Sequence, residues 1–399
     1  MEVKKDRSVS VALIHHGWNN SNFGVQMLSS CSVATLEKAS VLSGVPLRIT
    51  VINARLPSSM DAETRTISLK VTANPFKGLL KWLRAVRVMR EFDLVVDTSE
   101  GDGFAGIYGN KRFYWQMFLR AAAIAAGCKV ILAPQTFGPL DGRLQRWVFG
   151  RTISRCALVA ARGPLSRQIT LSSAPQSDVL LVPDLGFALK SDHSARLAPS
   201  DSLRIGLNVS GLLWGASTQS SYHVPGYQET IYLLVDELLA IPGLEIHLVS
   251  HVGESESEPE VAPSELSDWV VSSELAARYP QVHLEPLQSS PEKTKGLVSS
   301  FDFFIGSRMH ACISAAASGT PLACIAYGNK FEDVFDWLGL DVAVELGAGG
   351  EARCVLEVMS LLSERSVQSN ALHELLTRVA EGHASYTRAL GDLMESCSR

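Results

Sequence analysis

The sequence predicts an α/β protein built from two consecutive doubly wound domains that face each other. Three observations carry this. A chain of 399 residues exceeds one ordinary domain and fits two of roughly 150–200 residues each. Short β-branched apolar runs alternate with longer stretches of helical period, the pattern of parallel sheets covered by helices. A stretch of Ser, Asp, His, Ala and Pro without periodicity, residues 191–202, interrupts that rhythm and reads as a linker.

Before the linker, strands are expected at 9–15, 47–53, 93–98, 129–134, 158–161 and 179–183, with the clearest helices at 112–126 and 144–156. Gly127 stands where a C-cap glycine belongs. After it, strands are expected at 204–209, 245–251, 282–285, 302–305 and 321–326. Helices fall at 227–240, 264–278, 292–299, 309–318 and 332–338. Residues 254–260 read as an acidic, solvated loop. The chain closes with a long helix over 368–396, broken or bent near Gly382. The domains are therefore set at residues 1–190 and 204–399, joined by 191–203.

Hydrophobic residues make up 46% of the chain, enough apolar surface for two cores. A net charge of -5 argues against general affinity for nucleic acid, which needs a basic face. The seven cysteines are widely spaced, and no pair has the spacing of a zinc or iron–sulfur site. They read as reduced core residues of a cytosolic protein. The first ten residues are polar, and no run of 18 apolar residues occurs, so no membrane span is expected. Peripheral membrane contact stays open.

In open parallel sheets ligands bind beyond the carboxyl ends of the strands, so those segments are where chemistry is sought. Residues 15–24 (HHGWNNSNFG) follow the first strand. Their glycines and asparagines, Asn22 and Gly24 among them, suit a turn with exposed N–H groups before a helix at 25–39, or an ordinary connection. His15 and His16 are adjacent and point opposite ways. Residues 97–109 (DTSEGDGFAGIYG) hold four glycines and the carboxylates Asp97, Glu100 and Asp102, able to bind hydroxyls or act as a base, or to be plain turn residues. The stretch is neither a Walker A sequence nor a dinucleotide fingerprint. Gln135 lies in the polar turn PQTFGP, residues 134–139. Arg162 ends the fifth strand, placed for a bidentate contact with a carboxylate or phosphate, or for a salt bridge. Asp184, after the sixth, is a helix cap or a site carboxylate.

The most informative window is residues 302–330. An apolar strand ends at Gly306 and Ser307, and a helix of small residues begins near Arg308. Arg308 and His310 thus fall in a first turn, where the helix dipole and free N–H groups attract an anion. Tyr327 and Lys330 follow the next strand. Each has a structural alternative: a core histidine, a salt-bridged arginine, a solvated lysine. Their joint placement favours a site for an anionic, phosphate-bearing substrate.

Residues 306–340 (GSRMHACISAAASGTPLACIAYGNKFEDVFDWLGL) resemble the polysaccharide pyruvyl transferase family, with its R-x-H, small-residue helix, G-x-P and Y-x-x-K sequence. The NNSNFG loop, the PQTFGP turn, Arg162 and VPDLGF at 182–187 match further pieces in the expected order, so the resemblance spans about residues 9–340. The resemblance implies a fold similar to the GT-B glycosyltransferases, two facing Rossmann-like domains with a terminal helix crossing back to the first. It also implies transfer of the enolpyruvyl unit of phosphoenolpyruvate onto two sugar hydroxyls, with release of phosphate. No metal and no cofactor are expected, only phosphoenolpyruvate as donor substrate and a saccharide acceptor, lipid-linked or free. The location implied is cytoplasmic, including the inner membrane face.

The residues agree with this. Phosphoenolpyruvate carries a carboxylate and a phosphate, and Arg162, Arg308, Lys330 and the helix start at 307–310 supply cations and donors. His310 suits the general acid, since histidine titrates near neutral pH. Arg308 and Lys330 would stabilise the departing phosphate. The acceptor meets the first domain's loops, with Asp102 or Asp97 as base. Residues 97–109 depart from the plainer glycine-rich stretch common in the family, which leaves the acceptor unidentified. Two rival readings are a GT-B glycosyltransferase using a nucleotide sugar and a non-catalytic sugar-binding relative.

Overall fold

The computed structural model describes residues 8–53, 65–69, 75–106, 109–215, 223–253 and 267–398. The acidic segment 254–260, the first residues of the helix expected at 264–278, and residues 107 and 108 of the second glycine-rich loop lie outside the described residues. The chain divides into two compact units. Unit 1 comprises residues 1–20, 28–185 and 379–399; unit 2 comprises 21–27 and 186–378.

Unit 1 runs β1 (Val9–Ile14), α1 (Phe23–Ser43, its first turn counted with unit 2), β2 (Leu47–Ile52), β3 (Arg65–Ile67), α2 (Pro75–Met89), β4 (Leu94–Asp97), α3 (Gly109–Ala126), β5 (Lys129–Gln135), α4 (Gly142–Ile153), β6 (Leu158–Ala161), α5 (Pro164–Ser173) and β7 (Leu180–Leu181). Its strands form one sheet in the order β3-β2-β1-β4-β5-β6-β7, parallel at each pairing. β4 is buried at all its positions, as a strand between two helical layers must be. Phe104, Phe137 and Phe149 close one side of the core, with the Phe104 and Phe149 rings 4.7 Å apart. Truncating such a ring to alanine costs about 3–5 kcal/mol.

Unit 2 runs β8 (Leu203–Asn208), α6 (Gly211–Trp214), α7 (Tyr227–Leu239), β9 (Leu244–Leu248), α8 (Asp268–Arg278), β10 (His283–Leu284), α9 (Pro291–Val298), β11 (Phe303–Gly306), α10 (Met309–Ala317), β12 (Leu322–Ala326), α11 (Glu332–Phe335), β13 (Ala343–Glu345), α12 (Glu351–Ser363) and α13 (Arg365–Ser398, from residue 379 counted with unit 1). The strand order is β10-β9-β8-β11-β12-β13, again parallel throughout. The expected linker region packs within this unit, where the Asp192 amide donates to the Glu292 carbonyl at 2.9 Å. Numbered from its own first strand, each sheet follows the 3-2-1-4-5-6 order of the Rossmann fold, with a seventh strand added beyond the sixth in unit 1.

The expected strands and helices appear close to their predicted bounds, and Gly127 follows α3 with a positive φ of 86°. Among the described residues six elements lie outside the strands and helices expected from sequence: β3, α2, α5, α6, β13 and α12. The terminal helix differs from expectation, because α13 runs unbroken through Gly382. The glycine is there for clearance: a Cβ at 382 would overlap the Pro183 ring. Among the described residues no helix is long and apolar enough to cross a membrane.

Candidate active site

In a sheet of this order the crevice for a ligand opens where successive crossovers leave in opposite directions. That point lies between β8 and β11 in unit 2 and between β1 and β4 in unit 1. In both, buried polar side chains gather there.

Unit 2 gathers them around one carboxylate. Asp268, fully buried at the start of α8, accepts from the Gly211 amide (2.9 Å), Arg308 Nε (3.0 Å) and Arg308 Nη2 (2.8 Å) on one oxygen. Its other oxygen accepts from Asn208 Nδ2 (3.2 Å) and the amides of His251 (3.2 Å) and Val252 (3.1 Å). The Arg308 amide donates to Asn208 Oδ1 at 3.0 Å, which fixes the start of α10. Burial works against the Arg308 charge, but Asp268 outweighs it and the guanidinium pKa is raised further. The Tyr227 hydroxyl, its own pKa raised by burial, donates to Ser307 Oγ (2.8 Å) and accepts from the Ser210 amide (2.8 Å).

His310 occupies the first turn of α10, half-buried. Its ring lies against Gly24, where a Cβ would overlap Nδ1 and approach Cγ to 2.8 Å. Asn22 Oδ1 accepts from the Gly24 amide at 2.9 Å and so caps α1. Residues 21–23 are tied to the end of β9 by a bridge from Asn22 to Val252 and by the Phe23 amide on the His251 carbonyl (3.2 Å). His251 itself is buried, and neither ring nitrogen makes a hydrogen bond. Burial, then the nearby His310 and Arg308, push its pKa well below the ordinary 6.5, so this imidazole is neutral. Tyr327 and Lys330 follow β12, with Lys330 Nζ 4.4 Å from the centre of the Tyr327 ring. Among the described residues Lys330 has no carboxylate partner.

Unit 1 holds a second buried cluster. Asp97, at the end of β4, accepts from His15 Nδ1 (3.0 Å), the Ser99 amide (2.7 Å) and Arg120 Nε, all of them buried. Burial alone would raise its pKa, but Arg120 and His15 hold the carboxyl well below the usual carboxylate range. Among the described residues His15 Nε2 and Gln135 Oε1 are buried without a hydrogen-bond partner. His15, Ser99 and Glu100 all have φ near +50° (53°, 49° and 55°), a strained conformation that clusters at functional sites. Trp115, its ring 6.0 Å from that of His15, lines a cavity of about 450 Å³ with Glu100, Lys111, Arg112 and Gln116.

Of the other residues singled out in unit 1, Arg162 pairs with Asp184 at 2.7 Å and donates from Nε to Thr136 Oγ1 at 2.6 Å. Gln135 donates to the Asp97 carbonyl at 3.2 Å. Asp102 caps the short turn after β4, its amide on the Ser99 carbonyl. Arg308, His310, Asn22 and Gly24 thus come together in unit 2, while Arg162, Asp184, Gln135 and Asp102 belong to unit 1. Sequence reasoning passed over Asp268, Asn208, Tyr227 and His251. Asn208 and His251 lie at or just past the ends of β8 and β9, where the strand-end rule could have found them. Asp268 opens a helix in an unremarkable SELSDW stretch. Among the described residues the side chains able to share a metal ion are Glu245, His247 and His283, none of them in either cluster.

Two Rossmann-like units with polar clusters at their crevices make this a protein of the GT-B class. Solved structures share the fold. Sucrose-phosphate synthase from Thermosynechococcus elongatus matches with TM-score 0.59 at 12% identity, covering 98% of this chain and 99% of its own. UDP-GlcNAc 2-epimerase from Neisseria meningitidis matches at 0.57 and 10%, covering 96% and 99%, and that from Methanocaldococcus jannaschii at 0.54 and 10%, covering 89% and 93%. At such identities the likeness speaks for fold alone. No curated protein sequence matches the chain significantly. The family model for polysaccharide pyruvyl transferase matches residues 40–329, and the chain belongs to that family.

Proposed function

We propose that this protein transfers the pyruvyl group of phosphoenolpyruvate onto a sugar of a polysaccharide or its precursor, forming a cyclic ketal and releasing phosphate. The observation that carries the reading is Arg308, pinned by Asp268 at the start of α10 two residues before His310, in a chain of this family. Asp268 takes Nε and one Nη of the guanidinium, which sets its plane and keeps it charged. A fixed guanidinium, Lys330 and a helix amino terminus are what a small dianion requires. Arg162, Tyr327, Asn22, Gly24, Gln135 and Asp184 are kept as binding residues.

His310 donates a proton to C3 of phosphoenolpyruvate, and C2 becomes electrophilic. One sugar hydroxyl adds to C2; a second then forms its own bond to C2 as the C2–O bond to phosphate breaks. Of the two hydroxyl protons released, one restores His310 and the other leaves with phosphate. Asp102 is the base proposed from sequence. Asp97, clamped by Arg120 and held ionised, is a weak base. The acceptor is a saccharide, lipid-linked or free, and we assign the reaction to the cytoplasm, with a lipid-linked acceptor met at the inner membrane face.

The test is phosphate release from phosphoenolpyruvate by purified protein over a panel of free and lipid-linked saccharides. Release that depends on an acceptor, and that falls about 10²–10⁴-fold in His310→Ala, is the expected result. Absence of release with every acceptor, together with thermal stabilisation by a nucleotide sugar and none by phosphoenolpyruvate, would move the assignment to a glycosyltransferase.

A further inference from the structure

The edge strand β10 of the unit 2 sheet and its neighbour β9 carry a cluster that the transferase reading does not use. Glu245 and His247 are two apart on β9 and so share a face; His283 opens β10 in register with His247, and Glu285 follows two residues on. The sequence thus reads E-x-H on one strand and H-x-E on its neighbour. His247 Nδ1 lies 2.7 Å from Glu285 Oε1. His247 Nε2 is sealed from solvent and makes no hydrogen bond, with Glu245 Oε2 3.5 Å away. The His247 side chain is only 6% exposed. The His283 ring stacks on it at 4.7 Å and 19°, and is itself exposed. One ligand atom each from Glu245, His247 and His283 falls within 4.8 Å of the others.

We propose that Glu245, His247 and His283 form a binding site for a divalent transition metal ion, with Zn²⁺ the best fit. With its Nδ1 proton on the Glu285 carboxylate, His247 presents the lone pair of Nε2 toward Glu245. A carboxylate behind a ligating imidazole is the usual support of a metal-binding histidine. Two imidazoles and one carboxylate suit zinc, whereas magnesium and calcium favour all-oxygen shells. Arg204 Nε holds Glu245 Oε2 at 3.1 Å, which steadies the carboxylate beside His247. His283 reaches it by turning its exposed ring, and water completes a tetrahedron. The ion would fasten the two-residue edge strand β10 to β9.

Full-length protein stripped with a chelator is titrated with Zn²⁺ by calorimetry, with excess Mg²⁺ present. Seven free cysteines can also take zinc, so the readout is the difference between wild type and variants. Wild type is expected to bind one equivalent more than His283→Ala, a surface change that leaves folding intact, and to gain thermal stability from Zn²⁺ that the variant does not. Glu285→Gln is expected to weaken the site about 10- to 100-fold. The same stoichiometry and affinity in wild type and His283→Ala would overturn the proposal.

Discussion

Gly24 and the imidazole of His310 are in such close approach that a single methyl group at position 24 would occupy the place of Nδ1. The residue is therefore glycine for clearance: it sits in the first turn of α1, where glycine is otherwise the poorer choice. Gly24→Ala is expected to lower the rate of pyruvyl transfer about 100-fold, the effect of an ångström's displacement of a catalytic group. Its melting temperature should stay near wild type, since alanine favours the helix. Unchanged steady-state rates in this variant would remove His310 from the chemistry.

One oxygen of the buried Asp268 carboxylate accepts from both Nε and Nη2 of Arg308. Asp268→Asn keeps the shape but sets an NH₂ group against donors and leaves the arginine charge uncompensated. A loss of about 3–5 kcal/mol in urea unfolding is expected. In the double variant with Arg308→Gln the two effects should fall short of their sum, because the residues share one network. Strict additivity would show that the pair is not coupled.

Ion pairs elsewhere in unit 1 should differ sharply in worth. Arg120 and Asp97 have no exposed side-chain surface, while Arg65 and Glu91 are 65% and 53% exposed at 3.3 Å. Arg120→Met strands a buried carboxylate and is expected to cost about 3–5 kcal/mol. Arg65→Ala should cost no more than about 1 kcal/mol. Chemical denaturation of both variants at one salt concentration makes the comparison.

Acid should weaken the fold well above the carboxylate range. Burial lowers the His16 pKa from 6.5 to about 4, although the Ile14 carbonyl, 2.8 Å from Nδ1, pulls it upward. His251 is lowered for the same leading reason. Between those values the unfolded chain binds protons that the folded chain refuses, so stability falls as pH drops from about 6.5 toward 4. The slope approaches about 1.4 kcal/mol per pH unit for each such group. His16→Gln should flatten the change in urea midpoint between pH 7 and pH 4.5, and an unaltered slope would exclude His16 as a contributor.

The alternation of apolar runs revealed both sheets because parallel strands buried on two faces leave an uninterrupted signal, as β12 does along its whole length. β3 and β13, three residues each, are too short for any period to register. Glycine at 382 reads as a break from sequence, yet the Pro183 ring packed against it turns it into a contact point. In the sites, Arg308 and His310 were legible because one strand-to-helix turn presents both. Asp268 was not, because what distinguishes it is its partners, which lie 16 to 60 positions away in the chain.

The last residues of α13 have a consequence for how the protein is made. His383 reaches the carbonyls of Pro183 and Asp184 at 3.2 Å each, Gly391 lies against Ser43, and Ser396 accepts from Lys129 Nζ at 2.6 Å. Unit 1 is therefore assembled from both ends of the sequence. On the ribosome its sheet can form early, but the unit is finished only after residues 379–398 emerge, later than every strand of unit 2. A unit whose strands are translated before those of unit 2 is completed after them, and a fragment ending at residue 185 would be born without its closing helix.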